Sequence, residues 1–441
     1  MDLNYFWTWD HRCNWTLDDP GLQLEGYNNL YLKRPETYVE DYRRLTDMCA
    51  RNGIGGIAIF GFIRNSHGGL DAAREVARYA ASKGVRILPG VGTTAYGGAY
   101  YEGEHEFNLG TFLKGHPDCA QIDEKGNRTN ELCASHPDVI KWMNDGARWL
   151  METVEIGGVN LENGDFLTCH CPRCRERVSQ VQSGEQDFFK QQIAGYGPSL
   201  EALKPYMRDK WIIYATYSGF TPLHEGLDAA EDTGYSGAEA PAFTREFPPE
   251  AIAQWTLTHM VREQPLALTA YLDDGAPDAA YENPRWPRGL KVPTARSTGY
   301  VHQGIMRYGM VLSTFKEACL RAAEAGLNGI SVYGEVTERS VPWWLSYQGL
   351  AHFTQHPLDN LREFARARIA PVLGSEEAAQ SFVQALAHWD AEEVTDEDKK
   401  AVGDMWSGHT VSRENLLDRN LRWWLWKLIF EPAARRTPTF Y

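Results

Sequence analysis

The chain has 441 residues, with 44 Lys and Arg against 59 Asp and Glu, for a net charge of −15 at pH 7. This length suits one large catalytic domain with additions, or two domains. An acidic chain without a Lys/Arg block argues against nucleic acid and against an anionic membrane surface as partners.

In chain order, the first informative stretch is Asn4-Tyr5-Phe6-Trp7-Thr8-Trp9, an aromatic run of strand character that stops at Asp10, His11, Arg12 and Asn14. These polar residues either mark a site at a strand end or simply cap the next turn. Pro35–Asn52 reads as a helix stopped by Gly53, followed by a buried strand over 54–62. A helix over 70–83 ends at Gly84, and a third strand covers 85–91. A Gly/Tyr-rich loop runs from 92 to about Cys133, and a helix over 137–155 leads into a fourth strand over 158–166. The fifth strand is 211–217. The sixth is either 251–259 or 266–272, the seventh 299–305, and the last, 329–335, follows a helix over 315–325.

Strand–helix alternation repeated about eight times predicts an α/β fold, specifically a (β/α)8 TIM-type barrel. The barrel is assigned to residues 1–340 and a helical C-terminal extension to 341–441, packed on the barrel or against a second subunit as a homodimer. No glycine-rich turn has dinucleotide or P-loop spacing. There is no run of roughly 18 apolar residues to span a membrane. The N-terminus has no basic region leading into an apolar one. The eight cysteines form no regular disulfide framework. A reduced, cytoplasmic protein is expected.

In such a barrel, catalytic groups stand at the carboxyl ends of the strands. Those ends offer Asp10 and His11; Glu162, Asn163 and Asp165; Tyr214 and Tyr217; His302 and Gln303; and Tyr333 and Glu335. His136 precedes the helix that leads to the fourth strand. Acids, imidazoles, amides and phenols mixed with abundant Trp suit a hydroxyl-rich ligand held by many hydrogen bonds, in other words a carbohydrate. There is no Gly-x-Ser-x-Gly elbow and no early His-x-His, whereas glycoside hydrolysis needs only two suitably placed groups flanking an acetal carbon. No cofactor is required for that chemistry. Separately, Cys169, Cys171 and Cys174 lie close enough in sequence to hold a structural zinc, with Cys133, Cys119 or a histidine as fourth ligand. The alternative is a tightly turned loop of reduced thiols.

Four segments carry a resemblance to a known group: Trp7-Thr8-Trp9-Asp10-His11, Ala134-Ser135-His136-Pro137, Glu162-Asn163-Gly164-Asp165 and the Cys-x-Cys-x-x-Cys loop. Together they resemble barrel glycoside hydrolases of environmental bacteria, and among these the inverting exo-sialidases of glycoside hydrolase family 156, over roughly residues 1–355. The resemblance implies Asp10 as general base and His136 as general acid. Substrate contacts are then expected from His11, Asn14, Glu162, Asn163, Tyr217, His302, Gln303, Tyr333 and Glu335. Arg128, Arg296 and Arg307 are candidates for a sialic acid carboxylate. An imidazolium acid suits an anomeric carbon that carries its own carboxylate, and Glu131 or Glu162 is placed to favour the charged ring. Two further readings stay open. One is a retaining glycosidase of neutral sugars with Glu162 as acid/base and Glu335 as nucleophile; the other is a non-catalytic carbohydrate-binding barrel.

Overall fold

The computed structural model describes residues 1–16, 33–92, 97–162, 168–180, 187–215, 247–257, 266–273, 296–301, 310–407 and 415–431. Eight parallel strands close into a barrel: β1 (Tyr5–Trp9), β2 (Gly56–Phe60), β3 (Arg86–Gly92), β6 (Gly158–Glu162), β7 (Trp211–Ala215), β8 (Ile252–Thr256), β9 (Ser297–Val301) and β10 (Gly329–Tyr333), which pairs back onto β1. The fold is therefore the expected (β/α)8 barrel. Of the two candidates for the sixth strand, the first is the strand, while the second contributes a 3₁₀ turn at Leu268–Tyr271.

The aromatic run in β1 follows from burial on both faces, which is the normal lot of a parallel barrel strand. Phe6 and Thr8 face the helices: the Phe6 ring lies 5.1 Å from Tyr347, and the Thr8 hydroxyl 3.0 Å from that of Tyr42. Trp7 faces the interior with Phe60 at 4.5 Å and Tyr333 at 5.2 Å, and Tyr300 lies 5.8 Å from Tyr333. This plug fills the barrel and forms the floor of its mouth. Tyr333, expected at a ligand, belongs to the plug. Deeper in the barrel, Asn160 Nδ2 donates to Gln254 Oε1 at 3.1 Å, and the Tyr5 hydroxyl donates to the same oxygen.

Around the strands run α1 (Pro35–Asn52), α2 (Gly69–Ser82), α4 (Pro137–Thr153), α5 (Pro172–Gln180), α6 (Asp187–Leu203) and α7 (Leu312–Ala325). Gly53 ends α1 in the left-handed conformation at φ 69°, as its sequence position predicts. The excursion between β3 and α4 is not all loop. It contains α3 (Leu109–Gly115) and an antiparallel hairpin of β4 (Ala120–Ile122) and β5 (Arg128–Leu132). The hairpin turn is fixed by Asp123, whose carboxylate accepts the N–H groups of Lys125 and Asn127.

After β10, α8 (Val341–Phe353) returns to β1 through Tyr347, which also stacks on Trp15 at 6.1 Å. The helical ring thus passes residue 340, and the extension proper begins after Phe353. It consists chiefly of Glu376–Asp390, Asp396–Ser407 and Leu416–Phe430. Among the described residues, no helix is long and apolar enough to cross a membrane.

Candidate active site at the barrel mouth

The ladder carries one residue past β1. Asp10 N–H donates to Phe60 O at 3.0 Å, and Trp9 N–H donates to Glu335 Oε1 at 2.8 Å. The Asp10 side chain is thereby fixed above the plug and is fully buried. Arg64 Nε stands 2.6 Å and His67 Nδ1 2.9 Å from its Oδ2, while His11 Nδ1 is 3.3 Å from its Oδ1. Burial alone would raise the carboxyl pKa. The two imidazoles and the guanidinium outweigh that and hold it below the usual carboxylate range. Gly61, at φ 83°, makes room: a Cβ there would sit 2.4 Å from Asp10 Oδ1.

Arg64 is shared. Its Nη1 lies 3.4 Å from Glu102 Oε2, and its guanidinium stacks 4.2 Å from the Tyr101 ring. Burial, opposed by Arg64 and reinforced by Asp10, pushes the Tyr101 phenol up to about 12. His11 differs from Asp10 in access, its side chain being 42% exposed against 0% for the acid. It packs beside Trp9 at 5.6 Å. Asn14 is buried behind this layer, with its backbone N–H donating to Glu335 O at 3.2 Å.

Glu162 ends β6, the fourth strand of the barrel, and Glu335 follows β10, the eighth, so the two carboxylates start from opposite sides of the ring. Both are buried. His136 caps α4: its Nδ1 accepts Asp138 N–H at 3.3 Å and lies 3.5 Å from Cys119 Sγ. Asp138 Oδ2 stands 3.9 Å from His136 Nδ1. A cleft of about 450 Å³, lined by Phe112, His116, Asp138 and Trp142 among others, flanks this helix start and not Asp10.

Arg128 lies on the exposed hairpin and pairs with Asp118. Arg296 precedes β9, at the opposite end of the barrel from Asp10, and donates to Glu250 O at 2.9 Å. Asn163, Asp165, Tyr217, His302, Gln303 and Arg307 lie outside the described residues. The sequence reading missed Arg64, His67 and Glu102. Arg64 and His67 closely follow β2, so the rule that exposed Asp10 and His11 at the end of β1 also points to them.

No protein-family model matches the chain, and no curated protein matches it. Among solved structures, a maltogenic α-amylase from Thermotoga neapolitana is 11% identical, covering 80% of this chain and 76% of its own, with a TM-score of 0.42. An O-GlcNAc hydrolase from Thermobaculum terrenum is 9% identical over 97% of this chain and 81% of its own, with a TM-score of 0.45. A GH138 enzyme targeting pectin rhamnogalacturonan II is 10% identical over 92% of this chain and 44% of its own, with a TM-score of 0.46. At these values the likeness says nothing about which reaction this chain performs.

Proposed function

We propose that the protein is a glycoside hydrolase acting on a terminal sugar, and within that class an inverting exo-sialidase. The observation that carries the reading is Asp10: a buried carboxylate at the mouth of a closed (β/α)8 barrel, kept ionised by Arg64, His67 and His11. Keeping a buried anion charged costs free energy unless donors surround it, and sites that do so are enriched for catalysis. Trp9 and Tyr101 add the apolar faces on which a sugar ring stacks.

In the proposed reaction, a water attacks the anomeric carbon from the Asp10 side and gives its proton to the carboxylate. The glycosidic C–O bond breaks on the other face, and the leaving oxygen takes a proton from His136. Arg12 and Arg64, which follow β1 and β2, suit a substrate carboxylate better by position than Arg128 or Arg296. A second route for the proton has its own support. Because Asp10 is enclosed and His11 exposed, His11 Nε2 can take the proton from water while Asp10 orients Nδ1. His11→Ala separates the two routes: a loss of about 10²-fold or more supports relay, and a smaller loss supports direct transfer to Asp10.

The retaining alternative needs Glu162 and Glu335 carboxyls about 5–5.5 Å apart. The two residues start from opposite strands of the ring, Glu335 Oε1 accepts the Trp9 N–H, and a carboxyl separation well beyond about 7 Å would remove this reading. The class is tested with a panel of aryl glycosides. Release of phenol from an aryl sialoside but not from aryl hexosides is expected. Turnover of hexosides alone removes the sialidase reading, and sugar binding without any turnover removes the hydrolase.

A further inference from the structure

Away from the mouth, four thiols converge. Cys133 directly follows β5, Cys169 and Cys171 lie between β6 and α5, and Cys174 is in the first turn of α5. Their sulfurs all lie within 4.8 Å of one another. Cys133 Sγ is 3.6 Å from Cys171 Sγ and 3.5 Å from Cys174 Sγ. A tetrahedron with metal–sulfur bonds of ~2.3 Å has sulfur–sulfur edges of roughly 3.8 Å, whereas a disulfide requires ~2.05 Å. All eight cysteines of the chain are free thiols. We propose that Cys133, Cys169, Cys171 and Cys174 bind one zinc ion as a closed, structural tetrathiolate site.

The surroundings suit thiolates. Ile122 N–H points at Cys169 Sγ at 3.5 Å and Cys174 N–H at Cys171 Sγ at 3.4 Å, and the Ser135 hydroxyl lies 3.2 Å from Cys174 Sγ. Donors aimed at ligand sulfurs are what an outer shell supplies to spread the charge of a four-thiolate site. The competing reading is a small hydrophobic cluster of reduced cysteines. It does not account for four sulfurs meeting in a cluster whose one other apolar member, among the described residues, is Ile122.

The geometry also decides the fourth ligand. Cys119 and His136 form a separate group with Asp138, and His136 Nδ1 is already an acceptor for Asp138 N–H. That leaves Cys133 to complete the Cys-x-Cys-x-x-Cys set. The consequence is mechanical. The ion ties the β4–β5 hairpin to the segment after β6, alongside the bond from His170 N–H to Ile122 O at 2.8 Å. It also anchors the turn in which His136 N–H donates to Cys133 O at 2.9 Å. The staple therefore fixes the N-terminus of α4.

The test begins with unmodified protein, purified without chelator. Elemental analysis is expected to find about one zinc per chain, released in step with mercurial titration of four thiols. Cys133→Ser and Cys174→Ser should each lower zinc content several-fold, while Cys119→Ser retains it. If the serine variants do not fold, the wild-type chain unfolded, stripped and refolded with cobalt(II) should show thiolate-to-cobalt charge transfer and tetrahedral ligand-field bands. Zinc below about a tenth of an equivalent, with no cobalt spectrum, would overturn the assignment. So would a Cys119→Ser variant that loses zinc as fully as Cys133→Ser.

Discussion

Two aspartates in this molecule are equally buried and oppositely tuned. Asp41, in α1, has Lys33 Nζ at 2.6 Å from Oδ2 and Thr16 N–H at 2.5 Å from Oδ1, and burial still pushes its carboxyl pKa up. Asp10 has Arg64, His67 and His11 around it, and these win against burial. The difference is what converges on the group: a guanidinium and two imidazoles on Asp10, one ammonium and Thr16 on Asp41. Asp41 sits in a closed pair that ties the start of α1 to the segment after β1. Asp10 sits in an open network that ends in a half-exposed imidazole. A pair sealed on both sides holds structure together; a charged group connected to solvent through another titratable side chain can move a proton.

The largest predicted contrast comes from neutralising each acid. Asp10→Asn should lower turnover by at least about 10²-fold in folded protein, with sugar binding retained. Asp41→Asn should act on stability alone, the folded protein turning over near the wild-type rate. Steady-state kinetics and chemical denaturation of both variants measure the pair. Comparable losses of turnover in the two would erase the distinction.

Gly61→Ala should be the next largest. The added methyl would overlap Asp10 Oδ1 and the residue would be left at a positive φ, costing about 1–3 kcal/mol in stability, with a fall in kcat that exceeds the change in KM. An unchanged kcat would mean that the position of Asp10 is not critical.

The two acids also differ in the sign of their pH dependence. The contribution of Asp10 is present above its unfolded value, near 3.8, and is lost as pH falls through its lower native value. For Asp41 the native value is the higher one, so its contribution declines as pH rises from 3.8. The Tm deficit of Asp10→Asn should therefore widen as pH rises to about 5 and then level off, while that of Asp41→Asn should narrow as pH rises above about 4.

The smallest effect concerns His352 in α8, which burial holds down to about 4. Because its unfolded value is 6.5, its neutral form supports the fold fully above that pH and loses ground as pH falls toward 4. His352→Gln should flatten the decline of Tm over that interval.

Much of this architecture was legible in the sequence because its determinants are local. The aromatic run of β1, the glycine after α1 and the alternation of strands and helices each report their own segment. The polar residues at the end of β1 were readable for the same reason. What surrounds them was less so, since Arg64 and His67 reach Asp10 only once β2 is laid beside β1 in register, Trp9 opposite Phe60. The hairpin inside the β3–α4 excursion escaped notice because β4 is only three residues long and β5 is largely exposed, without an apolar alternation to mark it. The choice of Cys133 over Cys119 is likewise a matter of convergence across segments, which spacing along the chain does not encode.

The central claim, that this barrel mouth hydrolyses a terminal sialoside by a single displacement, is tested most directly by the first sugar formed. With an aryl α-sialoside followed by proton NMR from the start of the reaction, inversion predicts that the β-anomer of the free sugar accumulates first and then mutarotates. Initial release of the α-anomer would contradict the account, because it requires a double displacement that the pairing of Asp10 with His136 does not provide.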